Sequence, residues 1–73
     1  MHVTVDVKGE AVHEFDLETV AAELDREPTY ADLLAEVDLS PHEVSVLVDG
    51  RPVPEDQPVE SDNVTVLRLI KGG

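Results

Sequence analysis

The chain has 73 residues, 17 of them acidic against five basic, a formal net charge of −12 and no cysteine. That length holds one small domain, whose core must be aliphatic because Phe15 and Tyr30 are its only large aromatics and no disulfide or thiolate metal site is available. So acidic a chain repels phosphate, which argues against nucleic acid as a direct partner. Its alternating, charged start is neither a signal peptide nor a membrane span, so no membrane partner and a cytoplasmic location are expected.

Val3, Val5 and Val7 alternate with Thr4 and Asp6, the period of a half-buried strand. Lys8-Gly9-Glu10 reads as a turn, with Gly9 free to take positive φ. Ala11, His13, Phe15 and Leu17 then share one face against Val12, Glu14 and Asp16 on the other, which makes a hairpin partner. Residues 18–27 read two ways: Val20, Ala21 and Leu24 would form a stripe on a helical turn, yet Pro28 disfavours helix at Glu27. Thr29 is a good N-cap with Asp32 three residues on, and Tyr30, Leu33, Leu34 and Val37 line one helical face, which Ser40-Pro41 is expected to end. Val44, Val46 and Val48 mark a third strand. Asp49-Gly50 is a hairpin turn, and Arg51-Pro52-Val53-Pro54 fits a short edge strand because prolines donate nothing to a ladder. An acidic loop anchored by Val59 leads to a last strand over residues 64–70. Lys71-Gly72-Gly73 has nothing to pack and is expected to be mobile.

This order predicts an α+β domain over residues 1–70, with a flexible tail at 71–73. A mixed sheet of four to five strands carries one main helix on one face, and the first and last strands pair in parallel at its centre.

Strands and helix in this order, followed by a diglycine, resemble the β-grasp of ubiquitin and its prokaryotic relatives, and in particular the small archaeal modifier proteins. The residues that carry the resemblance are Thr29-Tyr30-Ala31-Asp32-Leu33, Asp38-Leu39-Ser40-Pro41-His42-Glu43-Val44, Val46-Leu47-Val48-Asp49-Gly50-Arg51-Pro52-Val53-Pro54-Glu55-Asp56 and Val66-Leu67-Arg68-Leu69-Ile70-Lys71-Gly72-Gly73. It is good from Thr29 onward, adequate in the first strand and poor over residues 10–28. The resemblance implies activation by an E1-like enzyme and attachment to lysines of target proteins, or thiocarboxylation for sulfur transfer. The acidic bias resembles that of archaea that keep molar salt in the cell, where the Debye length is only about 3 Å and self-repulsion is screened.

Chemistry at a terminal carboxylate needs a thin tail that can enter an enzyme channel, and Gly72-Gly73 provides it. The carboxylate is a poor acyl donor, so an adenylate must supply the leaving group. ATP therefore belongs to the partner enzyme, and no cofactor is expected on the chain itself. Pleat parity sends Leu47, Leu67 and Leu69 to solvent, forming a candidate partner surface rimmed by Arg51, Arg68 and Lys71. Lys8, in a hairpin turn, is a candidate acceptor should copies of the chain join to one another.

His2, His13 and His42 show no metal-ligand spacing, and Glu55, Asp56, Glu60 and Asp62 lack the glycine and spacing of a calcium loop. Ser40, Ser45 and Ser61 sit in no nucleophile motif, so no catalytic residue and no enzyme activity are expected. The expected function is a protein modifier that acts as a monomer. Its rivals are a sulfur carrier for tRNA thiolation or molybdopterin synthesis, served by sulfurtransferases, and a non-covalent binding module.

Overall fold

The structure, a computed structural model, describes residues 1–69. In chain order its elements are β1 (His2–Val7), β2 (Ala11–Asp16), α1 (Leu17–Leu24), α2 (Tyr30–Glu36), β3 (Val44–Val48), β4 (Arg51–Pro52) and β5 (Asn63–Arg68). The strands form one sheet in the order β2-β1-β5-β3-β4. β1 and β5 lie side by side in parallel at its centre, and every other neighbouring pair is antiparallel. A parallel pair needs a long crossover, which the helical stretch between them supplies. The mixed sheet and its β-grasp topology are as the sequence predicts.

Alternation along the central strands builds the core. Val3, Val5 and Val7, Val44 and Val46, and Val64 and Val66 face Tyr30, Leu33 and Leu34 of α2, with Val59 of the acidic loop closing the cluster. Val7 pairs with Val66 and Val66 with Val46, so one row of valines crosses three strands. The opposite sheet face carries Thr4, Asp6, Thr65 and Leu47, and among the described residues no helix lies on it.

Two helices cover the core side where one was expected. The ambiguous stretch after β2 forms α1, opened by Asp16, whose carboxylate accepts from the Glu18 N–H at 3.1 Å. Leu17, Val20, Ala21 and Leu24 lie at i, i+3, i+4 and i+7, and Val20 is buried. The stripe outweighs Pro28 because the helix stops before it: Asp25 caps it in the left-handed region at φ 59°.

The N-terminus of α2 shows why the acidic loop is ordered. Thr29 and Asp32 form a reciprocal capping box. The next two free N–H groups, of Tyr30 and Ala31, donate to the carbonyls of Gln57 and Glu55. Val59 N–H donates back to the Pro28 carbonyl, so residues 55–59 are stitched to the helix start. At its other end α2 stops at Glu36, well before Ser40-Pro41. Asp38 takes φ 61°, its N–H reaches the Ala35 carbonyl, and the Leu39 N–H reaches that of Leu34. That is a Schellman closure with aspartate in the position glycine usually holds.

Asp49 and Gly50, at φ 56° and 78°, make the tight turn between β3 and β4. β5 ends at Arg68, and the Leu69 N–H donates to the Glu43 carbonyl at 2.7 Å.

Candidate functional site

Register places the candidate partner surface on the uncovered sheet face. Leu47 pairs with Thr65 and with Pro52, and Leu67 pairs with Ser45, so Leu47 and Leu67 are diagonal neighbours on that face. Leu67 is 39% exposed and Leu69 52% exposed. Leu47 is only half-buried rather than open, because it sits in an inner row between Thr65 and Pro52. Val12, 57% exposed, adds an apolar edge on the β2 side, opposite Asp6.

The cations fall differently from the expected rim. Arg68 lies between Leu67 and Leu69, so the pleat turns it to the other face, where it pairs with Val44 in register and its Nε ion-pairs with Glu10 in the hairpin turn. Arg51 pairs in register with Val48 and so shares the core-side parity, although it is exposed at the sheet edge. Among the described residues, Lys8 is the cation that stands on the leucine face. Its Nζ lies 3.0 Å from the carboxylate of Asp6, two residues earlier on the same side of β1, and its backbone N–H continues the ladder to the Val66 carbonyl. In parallel register that sets it beside Leu67. The sequence carried this signal in the alternation of Val3, Val5 and Val7, but the neighbour of Lys8 follows only from the β1–β5 pairing. Lys71, Gly72 and Gly73 lie outside the described residues.

The opposite pole of this face is polar. His2 and Glu14 are 2.9 Å apart across the β1–β2 pair, and both are well exposed. Among the described residues no three His, Asp or Glu side chains come together in a way that could hold a metal ion. No described helix is long and apolar enough to cross a membrane.

The strongest electrostatic perturbation lies away from the leucine face, at the α2 cap. Arg26 donates to both oxygens of Asp32, at 2.7 and 2.9 Å, and the same carboxylate accepts from the Thr29 N–H at 2.8 Å. The Arg26 hydrogen bonds, helped by those of Thr29 and opposed by partial burial, pull the Asp32 carboxyl down to about 2. This is a structural clamp that fixes the loop after α1 onto the start of α2.

Residues 1–70 match the family described as small archaeal modifier protein 2. The chain belongs to that family. Small archaeal modifier protein 2 of Haloferax volcanii is 64% identical over 73 residues, covering 100% of both chains. A protein of Archaeoglobus fulgidus is 36% identical over 59 residues, covering 81% of this chain and 87% of its own. The crystal structure of the Haloferax volcanii modifier superposes with a TM-score of 0.66 at 62% identity, over 97% of each chain. The family is one of ubiquitin-like protein modifiers, and membership gives the chain that general role.

Proposed function

We propose that Gly73 is the reactive residue of this modifier. An E1-like enzyme joins the Gly73 carboxylate to AMP from ATP, releasing pyrophosphate. A lysine amine of a target protein then attacks the Gly73 carbonyl, the new C–N bond replaces the C–O bond to phosphate, and AMP leaves. In this reading the chain supplies the acyl group and the docking face, while the enzyme supplies nucleotide chemistry. What carries the reading is the exposed Leu67 and Leu69 in the stretch that leads, four residues later, to Gly73. An apolar face at the root of the tail would let an enzyme hold the domain while it handles the carboxylate.

The rival sulfur carrier draws on the same adenylate, with a sulfurtransferase delivering sulfur to Gly73 in place of an amine. The deciding experiment compares the full chain with one lacking Gly72-Gly73 in cells. Loss of all covalent adducts on deletion, with an unchanged fold, is expected. Adducts that persist at the wild-type level would refute the assignment. Intact mass separates the two fates: one oxygen replaced by sulfur marks carriage, and heavier proteins bearing the tag mark conjugation.

A further inference from the structure

Lys8 stands on the leucine face through backbone register alone. Val7 pairs with Val66 in the parallel β1–β5 ladder, and the Lys8 N–H bonds to the Val66 carbonyl. Its Nζ is held over the outer face by Asp6 at 3.0 Å, and its side chain is 57% exposed. An amine in that position is reachable by an acyl donor, but whatever is joined to it stands over Leu67.

We infer that Lys8 is a modification site that gates activation: a protein joined to Lys8 covers the leucine face and keeps that copy from the adenylating enzyme. The inference rests on the docking face named above. The occupant is a second copy of this chain, whose adenylated Gly73 carbonyl is attacked by the deprotonated Lys8 Nζ. A C–N bond forms, the C–O bond to phosphate breaks, AMP departs with the electron pair, and the amine proton goes to solvent. The consequence is an order of events. A copy that already carries another at Lys8 can no longer be activated, so linked copies grow outward from one already attached to its target. They are not assembled first and transferred together.

The absence of cysteine allows a clean test, because Lys8→Cys introduces a unique thiol. The full-length variant is coupled to a protein-sized polyethylene glycol maleimide. ATP–pyrophosphate exchange is then measured with the E1-like enzyme, after circular dichroism confirms the fold. Glu23→Cys, on the exposed side of α1, carries the same polymer as a control. α1 starts beside Met1, at the pole away from the hairpin turn. Polymer on Lys8→Cys is expected to lower kcat/KM roughly tenfold or more, about 1.4 kcal/mol or above, relative to the unlabelled variant. Polymer on Glu23→Cys should leave it unchanged. A large loss already in the folded, unlabelled Lys8→Cys would equally place Lys8 inside the enzyme's footprint. Equal activity of the two polymer-bearing proteins, with Leu67→Asp impaired, overturns the inference while the docking face stands. If Leu67→Asp is also fully active, the docking face itself is overturned.

Discussion

Replacing Asp32 with asparagine removes one charge and keeps the shape of the side chain. The carboxylate accepts two hydrogen bonds from Arg26, at 2.7 and 2.9 Å, and two from Thr29, at 2.8 and 3.0 Å. Its folded-state pKa is about 2 against an ordinary 3.8. At about 1.36 kcal/mol per unit that difference sets an upper bound of about 2–3 kcal/mol. Arg26 is half-exposed and solvent screens it, so about 1–2 kcal/mol is expected. A carboxyl whose pKa is depressed by folding stabilises the fold above its unfolded pKa, and that stability is lost as pH falls through the folded value. The gap between native chain and Asp32→Asn should therefore be full near pH 7 and close between about pH 4 and about pH 2. In a domain this small it corresponds to roughly 5–15 °C in Tm at neutral pH. Thermal melts of both proteins by far-ultraviolet circular dichroism, at fixed molar salt, measure it. Using the difference cancels the relief of self-repulsion that protonation brings to both. A gap of the same size at pH 2 as at pH 7, or none at pH 7, would refute the account of the clamp.

Leu67→Asp should raise the KM for activation about tenfold while changing Tm little, because the side chain lies on the uncovered face; kinetics and a melt read the two separately. The fold should be loosest in dilute buffer, since a net charge of −12 is least screened there, and a Tm that stays flat or falls from low to molar salt would contradict this. Trypsin cuts after Lys71 and should leave a Gly-Gly remnant on each acceptor lysine. If copies join one another, mass spectrometry should find that remnant on Lys8, and remnants on Lys71 alone would refute Lys8 as the acceptor.

The valine alternation made the central strands legible in the sequence, and Asp49-Gly50 and Thr29 marked a turn and a cap that the structure keeps. The misses have common physics. α1 was obscured because its stripe is short and a proline follows, and nothing in the chain announces that an aspartate will take the left-handed cap at position 25. The end of α2 is hidden for the same reason: Asp38 does the work usually signalled by glycine, so the visible stop signal in the sequence is Pro41, several residues past the true end. On the candidate site, parity alone placed Leu67 and Leu69 outward. It could not say that Thr65 and Pro52 flank Leu47, or that Arg68 would be claimed by Glu10, because both depend on which strands become neighbours.

The central pairing of β1 with β5 also sets how the domain answers to force. Parallel neighbours put the start of β1 and the exit of β5 at opposite poles. Tension applied between the N-terminus and a protein joined beyond β5 therefore runs along both strands at once. It loads their ladder in shear, so the bonds between residues 4–7 and 63–66 must give way together rather than peel one by one. Resistance of that kind is governed by the unfolding barrier rather than by equilibrium stability. A small domain with a modest core can thus hold firm under tension along β1 and β5, and yield far more readily when pulled at the exposed edge, where β4 meets β3 through two residue pairs.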